Sequence, residues 1–246
     1  MSQTAERTFV LLEHAVRSES PCGLVDLANR AGLDKSTAAR LLTYLEKRGL
    51  LVRDYAKRYS VGPAMVSLAA LVVRKSSLVH AAQPLLDRLR DESGETVSLH
   101  VRVGDQRVCI AGAESRHAIQ RVLTVGEPVP LWLGPTGQVI LAHLNDADRE
   151  AVLARNVRAI GTRRELDAQV SGTRARGWLA TVGGRTSGVA AASAPVFDAR
   201  SVIGSITIAG PEERWTPERM TEFALRLRAA ADELSTRIGG APSLLR

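Results

Sequence analysis

The chain has few cysteines and no long apolar run. Of its 246 residues only Cys22 and Cys109 are cysteines, too few for a disulfide framework or a metal cluster. We expect both to be free, buried thiols in a reducing compartment. The longest apolar run, residues 65–73, is interrupted by Ser67 and is much shorter than the roughly 18 residues of a membrane span. The N-terminal MSQTAERTF lacks the apolar core of a signal peptide. A cytoplasmic protein without a membrane partner is therefore expected.

The usual motifs of catalysis are also missing. No two histidines stand four residues apart, and the two cysteines do not have metal-ligand spacing. A serine-nucleophile motif is absent, because the nearest run, residues 184–188, has the wrong spacing. His100 lies in an alternating segment, where a half-buried side chain is a better interpretation than a catalytic base. We predict no catalytic residues, no metal site and no cofactor.

The positive charge is concentrated at one end of the chain. The formal net charge is +7, and residues 1–75 hold 12 Lys and Arg against 7 Asp and Glu, whereas the remainder holds 21 against 19. Such a surplus is typical of a module that binds phosphates. A hydrophobic content of 45% is ordinary for a soluble globular protein and leaves ample material for a core.

Residues 24–48 predict two helices joined by a tight turn. Apolar side chains recur at helical spacing in the first helix, and Gly32 can take the positive φ at which that helix ends. Asp34 is a good N-cap for the second helix. The inward face of the second helix is then formed by Ala38, Leu41, Leu42 and Leu45.

The outer face of this second helix is predicted to bind double-stranded DNA. A helix-turn-helix carries its base and phosphate contacts near the start of the recognition helix. Arg40 is our candidate for a bidentate base contact. The alternative is a helical hairpin with a solvated basic face, as in a scaffold protein without DNA. The predicted contact residues on this helix are Lys35, Ser36, Thr37, Arg40, Thr43, Tyr44 and Lys47.

A helix before this motif and a hairpin after it complete the predicted DNA-binding domain. Residues 4–18 read as an amphipathic helix with Phe9, Leu12 and Val16 on one side, suited to the core and to dimer contacts. Residues 50–53 and 59–61 alternate like strands, which predicts the wing of a winged helix. Lys57 and Arg58 at its tip are predicted phosphate or minor-groove contacts. A plain exposed turn is the alternative.

The rest of the chain predicts a connector and an α+β domain. Residues 63–75 and 77–92 are helical, with a new helix expected near Pro84. Later segments predict an antiparallel sheet with flanking helices. Strands are predicted at residues 96–113 as a hairpin around 104–105, at 119–125, at 178–182 and at 189–209 as a second hairpin. Residues 131–144 are predicted to turn from loop to helix, with Pro135 at the first helical position, and further helices are predicted at 146–155, 163–176 and 216–238.

The whole chain resembles the IclR family of bacterial transcriptional regulators. The segments that carry the likeness are ERTFVLLEHA, LVDLANRAGLDKSTAARLLTYLEKRGLLVRD, RYSVGPAM, PLLDRLRDESGETVSLHV, VGEPVPLWLGPTGQVILAHL and SAPVFDARSVIGSITIAGPEERWTPERM. Within the family, GDQRVCIAGAE and TRARGWLATVGGRTSGVAAASAPV look most like actinobacterial regulators of leucine and other amino-acid biosynthesis.

The residue pattern and the resemblance together divide the chain into four segments. A winged helix-turn-helix domain at 1–75 is followed by a linker helix at 76–93, a GAF-like effector-binding domain at 94–238 and a flexible tail at 239–246. The resemblance implies homodimers that can pair as dimers of dimers.

The resemblance also implies where a small-molecule effector binds. Family members that bind small oxo-acids carry acidic, cysteine and serine residues at the matches of Thr181, Ala191 and Ala209, so a more apolar ligand is expected here. The helix start near Pro135 suits a carboxylate. The implied effector-binding residues are Leu133, Gly134, Pro135, Thr136, Gly137, Thr181, Ala191, Thr207 and Ala209.

Together these observations predict a transcriptional regulator, with repression as the favoured role. It would bind a pseudo-palindromic operator and respond to a small carboxylate, such as an apolar amino acid, its keto acid or an aromatic acid. The alternative is a small-molecule-processing enzyme fused to a DNA-binding anchor.

Overall fold

The computed structural model describes residues 3–18, 20–155 and 163–240, and divides the chain into two compact units between Ser76 and Ser77. The predicted tail lies outside the described residues from position 241 onward. None of the helices in these ranges combines the length and apolarity needed to span a membrane. The first unit contains α1 (Gln3–Arg17), β1 (Cys22–Gly23), α2 (Leu24–Arg30), α3 (Lys35–Lys47), β2 (Leu51–Arg53), β3 (Arg58–Val61) and α4 (Pro63–Lys75).

The first unit is a helix-turn-helix packed on a small sheet, as predicted. Gly32 has a φ of +63° in the turn between α2 and α3, where a residue with a Cβ would be strained. The predicted inward face of α3 is buried. On α1 the predicted face is right at Leu12 and wrong at two other residues, since Phe9 is 65% and Val16 42% exposed. The buried residues of this helix are Leu11, Leu12 and Ala15. The helix is therefore rotated from the predicted orientation, so that Leu11 and Ala15 join Leu12 in the core of this unit.

The wing is a three-stranded sheet rather than an isolated hairpin. β2 and β3 pair antiparallel, with Leu51 opposite Val61. β1 adds a third strand through the pairing of Cys22 with Tyr59. Cys22 is buried in this unit's core and is a free thiol. The extra strand ties the start of α2 to the wing.

The second unit is an α+β domain, which confirms the predicted fold class. Its six strands form one antiparallel sheet in the order β6-β5-β4-β9-β8-β7. Its elements are α5 (Ser77–Ser93), β4 (Thr96–Val103), β5 (Gln106–Ala113), β6 (Pro128–Pro130), α6 (Gly134–His143), α7 (Asp146–Arg155), α8 (Arg163–Arg176), β7 (Leu179–Val182), β8 (Val189–Phe197), β9 (Val202–Pro211) and α9 (Pro217–Arg237).

The two faces of this sheet have different partners. Alternate side chains of the central strands, such as Leu99 and Ile206, pack with α5 and α9 in one apolar core. The opposite face is covered in part by α6, which contacts β7, β8 and β9. The side chains between them, on β4, β5 and β9, include polar groups such as Ser98 and Thr207. This second face carries the candidate site.

Pro84 does not begin a helix, contrary to our expectation. It lies inside α5, which begins at Ser77. Proline removes one helical hydrogen bond and crowds the preceding turn. The helix nevertheless continues, since its buried face, with Ala82 before Pro84 and Leu85 after it, belongs to the core against the sheet. Tertiary packing therefore outweighs the local preference.

The strand predicted at residues 119–125 is a loop instead. The backbone carbonyl of Ile119 accepts from Arg214 Nη2 at 2.9 Å, and that of Arg121 accepts from Thr96 Oγ1 at 2.7 Å. The amide of Leu123 donates to Glu114 Oε1 at 3.1 Å. Side chains thus satisfy backbone groups that a strand would pair with a neighbour.

A buried ion pair holds Arg214 in place beneath this loop. Glu95 is fully buried, and its two carboxylate oxygens accept from Arg214 Nε at 2.7 Å and Nη2 at 3.0 Å. These bonds raise the pKa of Arg214. A Cβ on Gly210 would stand 2.4 Å from Glu95 Oε2, so only glycine leaves room for this carboxylate.

We expect Glu95→Gln to lower the free energy of unfolding of the second unit by about 2 kcal/mol, because Arg214 loses a charge-assisted bidentate partner. The three tryptophans, Trp132, Trp178 and Trp215, all lie in this unit, so tryptophan fluorescence in urea reports its unfolding.

The matched control is Glu233→Gln. This glutamate pairs with Arg88 and Arg237, and its side chain is 36% exposed, so the loss should stay below about 1 kcal/mol. Equal losses for the two variants would contradict the importance of the buried pair.

Candidate DNA-recognition surface and effector cavity

Asp34 caps the recognition helix through its side chain. Its Oδ1 accepts from the amide of Thr37 at 2.8 Å and from the hydroxyl of Ser36 at 2.6 Å. These bonds, that of Ser36 first, hold the pKa of Asp34 well below its ordinary value. The hydroxyl proton of Ser36 is therefore engaged within the protein, although the side chain itself is exposed.

The predicted contact residues of α3 share one accessible side of the helix. Thr37 is half-buried, and the hydroxyl of Thr43 donates to the carbonyl of Ala39 at 2.8 Å. Within the described ranges no carboxylate forms an ion pair with Arg40, so its guanidinium keeps an uncompensated charge. The members that are exposed are Lys35, Ser36, Arg40, Thr43, Tyr44 and Lys47.

The two predicted wing residues differ in their surroundings. Lys57 is exposed at the turn and has a φ of +63°. Arg58 is exposed as well, but its Nη2 lies 2.9 Å from Asp54 Oδ2. The bonds from Arg58, chiefly from its backbone amide, lower the pKa of Asp54. Lys57 is thus the better-placed cation for a phosphate contact.

The second unit contains a cavity of about 80 Å³ on the α6 side of its sheet. It is lined by the sheet, the first turn of α6, the loop before β6 and the loop between β7 and β8. Its wall residues are Thr96, Ser98, His100, Arg107, Cys109, Arg121, Val122, Leu123, Thr124, Glu127, Val129, Gly134, Pro135, Thr136, Thr181, Gly184, Arg185, Thr186, Val189, Ala191, Thr207 and Ala209.

Seven of the nine implied effector-binding residues lie in this wall, and two do not. Leu133 is 38% exposed outside it. A Cβ on Gly137 would stand 2.3 Å from the carbonyl oxygen of Leu131, so this glycine allows α6 to pack closely on that segment. The seven are Gly134, Pro135, Thr136, Thr181, Ala191, Thr207 and Ala209.

The sheet register explains how three of these residues come together. Thr181 pairs with Ala191, and Ala191 pairs with Ala209. Ala209 in turn pairs with Thr96 on β4. These four residues form one row across β7, β8, β9 and β4. The row has two alanines at its centre, which gives this part of the cavity floor an apolar surface.

Thr207 has a structural partner within the wall. Its hydroxyl lies 2.8 Å from the hydroxyl of Ser193 and donates to Thr136 Oγ1 at 3.1 Å. Ser205 donates to the carbonyl of Thr136 at 3.0 Å. These bonds fasten the first turn of α6 to β8 and β9. Among the described residues, no side chain caps α6.

Sequence reasoning missed the polar end of the cavity. Arg107 is only 4% exposed. Its Nη1 donates to His100 Nδ1 at 3.0 Å, and His100 Nε2 lies 3.0 Å from Ser98 Oγ. Because Nδ1 accepts, the ring proton resides on Nε2 and is donated to Ser98. The Nε of Arg107 has no hydrogen-bond partner in the part of the chain that the structure describes.

Burial governs the charges at this end. It lowers the pKa of His100 far below its ordinary value, with the positive charges of Arg107 and Arg185 adding to the effect. His100 is therefore neutral at physiological pH. Burial and Arg185 lower the pKa of Arg107 to about 10, which still leaves it protonated near neutral pH. Burial also raises the pKa of the Cys109 thiol.

A β-bulge turns Arg107 into the cavity. Along β4 and β5, Leu99 pairs with Ala111 but the next residue, His100, pairs with Cys109. Ile110 is therefore an extra residue on β5. Ala111 belongs to the core beneath α5 and α9, whereas Cys109 and Arg107 lie on the cavity side. The only feature of the sequence that could have indicated a buried charge here was an arginine inside a predicted strand.

An ion pair closes one side of the cavity. Arg185 Nη2 on the β7–β8 loop lies 2.8 Å from Glu127 Oε1, which precedes β6. With Arg107 and Arg121, the wall holds three arginines and one glutamate. Two positive charges are thus left without a carboxylate in the wall, which favours an anionic ligand.

Both units match models of one protein family. Residues 4–55 match the IclR helix-turn-helix domain, and residues 70–236 match the C-terminal domain of the bacterial transcriptional regulator IclR. The chain is 28% identical over 249 residues to the transcriptional repressor IclR of Escherichia coli, covering 97% of this chain and 90% of that protein.

Solved structures agree with this assignment. An IclR transcriptional regulator from a Silicibacter species has a TM-score of 0.81 and 28% identity, with 97% of each chain covered. An IclR homologue of Microbacterium hydrocarbonoxydans, complexed with 4-hydroxybenzoate, has a TM-score of 0.82, covers 96% of this chain and 99% of that chain, and shares the fold at 21% identity. The relatives are named as regulators and not as enzymes. The chain belongs to the IclR family of transcriptional regulators.

Proposed function

We propose that this protein is a cytoplasmic repressor whose operator affinity is controlled by a small organic acid. The observation that carries the proposal is the combination of two features in one chain. One is an exposed, uncompensated cationic helix face at Lys35 and Arg40. The other is a cavity in the second unit whose wall holds a buried guanidinium, that of Arg107.

The first feature supports sequence-specific DNA binding. The capped start of α3 presents lysine, serine, threonine and arginine side chains at the end where recognition helices read bases. Lys57 on the wing supplies an exposed cation that suits the phosphate backbone. We propose that two copies of the chain place two such helices on a pseudo-palindrome and that dimers can pair further.

The second feature supports a small acid as the effector. Arg107 on β5 favours a carboxylate at one end, and the free backbone N–H groups at the start of α6 are a second place that suits one. The row that contains Ala191 and Ala209 favours an apolar group at the other end. An apolar amino acid, its keto acid and an aromatic acid all fit this description. The 4-hydroxybenzoate bound to the Microbacterium homologue is itself an aromatic acid.

The effector would act through differential affinity. An acid changes operator binding only if it prefers one arrangement of the subunits over another, and by the amount of that preference. The wall includes the first turn of α6, which Thr136 fastens to the sheet. A ligand that contacts this turn can therefore favour one position of α6.

We expect the protein to retard DNA from upstream of its own gene in a gel-shift assay, and an acid from this class to change the affinity. The panel is leucine, 2-ketoisocaproate and 4-hydroxybenzoate, with an unrelated duplex as the control. Equal affinity for the upstream DNA and the unrelated duplex would contradict the proposed sequence-specific DNA binding. Catalytic turnover of a bound acid would instead favour the enzyme with a DNA anchor.

Arg40→Ala is expected to weaken operator binding by about 1–3 kcal/mol and to relax base preference at one position, because a bidentate base contact is lost. Selection of bound oligonucleotides with the wild type and the variant measures both effects. Arg40→Lys is the matched control, since it keeps the charge but not the fork of donors. Equal losses on specific and random duplexes would mean that Arg40 contacts phosphate alone.

Lys57→Ala is expected to weaken binding to all sequences alike and to reduce the slope of log affinity against log salt by about 0.9, the value for one phosphate contact. Arg200→Ala removes the same charge from an exposed turn of the second unit and should leave the slope unchanged. A salt dependence that is identical in wild type and Lys57→Ala would exclude the wing contact.

A further inference from the structure

We infer that Arg107 is the carboxylate receptor of the cavity and that the receptor selects acids without an ammonium group. This inference rests on the proposed function and narrows it. Keto acids and simple aliphatic or aromatic acids would bind, whereas the corresponding amino acids would be rejected. None of the residues implied by the family resemblance is a cation, so Arg107 adds a new binding residue.

The surroundings of Arg107 leave its charge unbalanced. A cation this deeply buried is costly unless an anion or several acceptors face it. Its Nη1 donates to His100, which is neutral and has only one acceptor nitrogen. The carboxylate in the cavity wall, Glu127, bonds to Arg185 at 2.8 Å. No ion pair of Arg107 is found in the described ranges.

The geometry of the guanidinium suits a carboxylate. With Nη1 engaged by His100, the side that carries Nε has an N–H without a protein acceptor. Arginine binds carboxylates through parallel N–H donors on one edge, which gives both strength and orientation. His100 is itself bonded to Ser98, so the guanidinium is held from β4, and its Nε is buried without a protein acceptor among the described residues.

The same charges disfavour an ammonium group. An α-amino acid would bring its cation within a few ångströms of its carboxylate, and therefore close to Arg107. The wall offers two further arginines and one glutamate that is already paired. Like charges at such distances are unfavourable, and burial strengthens the effect. A carbonyl or methylene next to the carboxylate avoids this repulsion.

The test is calorimetry on the full-length protein with 2-ketoisocaproate, 4-methylpentanoate, 4-hydroxybenzoate, leucine and the neutral amide of 4-methylpentanoate. At least one of the three acids should bind at or below millimolar concentration, and leucine should bind at least about tenfold more weakly than 2-ketoisocaproate. Arg107→Gln should weaken the best acid about thirty-fold, since a charged hydrogen-bond pair is lost. Arg107→Lys should recover part of that loss.

Arg102→Gln is the matched control. Arg102 is the cross-strand neighbour of Arg107, and its Nη1 lies 3.1 Å from Asp148 Oδ2, outside the cavity wall. This variant should bind the acid as the wild type does. Tryptophan fluorescence and circular dichroism establish that each variant is folded.

Three results would overturn the inference. They are unchanged acid affinity in a folded Arg107→Gln variant, leucine binding as tightly as 2-ketoisocaproate, and no detectable binding of any of the three acids. Operator binding of the same preparation without any acid separates this failure from that of the proposed function. If the protein binds its operator but none of the acids, the role of Arg107 as a carboxylate receptor is contradicted and the proposed DNA-binding function stands. If the protein binds an acid but does not recognise the operator, the proposed DNA-binding function is contradicted and the role of Arg107 stands.

Discussion

One extra residue in β5 determines the character of the cavity. In a regular strand, side chains alternate between the two faces, so Arg107 and Ala111 would lie on the same side. The bulge at Ile110 breaks this alternation between Ala111 and Cys109. Ala111 then packs in the core beneath α5 and α9, and Arg107 faces the cavity with His100. Without the bulge the guanidinium would enter an apolar core, where its desolvation would have no compensation.

The consequences reach the neighbouring side chains. Burial beside Arg107 keeps His100 neutral, and a neutral ring can accept from the guanidinium through Nδ1 while donating to Ser98 through Nε2. A protonated imidazole would have no acceptor to offer and would repel Arg107. The protonation state of one residue and the position of the other therefore depend on each other. The result is a fixed positive charge on β5, beside the polar residues Ser98 and His100 of β4.

Local rules were sufficient for most of the first unit. Gly32 ends the first helix of the motif with a positive φ, and Asp34 caps the second helix with its side chain. Both effects depend only on residues nearby in the chain. The outline of the sheet was equally accessible, because alternation and turn residues mark its hairpins. The rotation of α1 was not, since the choice between Phe9 and Leu11 as a buried residue depends on what the helix meets.

Most of the missed features involve contacts distant in sequence. Pro84 stays helical because α5 packs on the sheet, and the loop at 119–125 replaces a strand because Arg214 and Thr96 bind its carbonyl groups. A bulge has no dependable signature in a single sequence, so neither the facing of Arg107 nor its pairing with His100 was open to prediction. The family resemblance led to the apolar row at Ala191 and Ala209, and the opposite, charged end required the three-dimensional register.

These two ends give the cavity a direction that bears on regulation. Its charged end is built on β4 and β5, whereas its apolar row runs through β9, β8 and β7, over which α6 packs. A ligand with a carboxylate and an apolar tail would span both sets of strands and contact the first turn of α6 between them. The hydroxyl bonds from Ser205 and Thr207 to Thr136 are few and individually modest. The proposed effector would therefore contact a turn that is held in part by bonds of a strength similar to its own contacts, and it would act only as far as those contacts differ between two states of the protein.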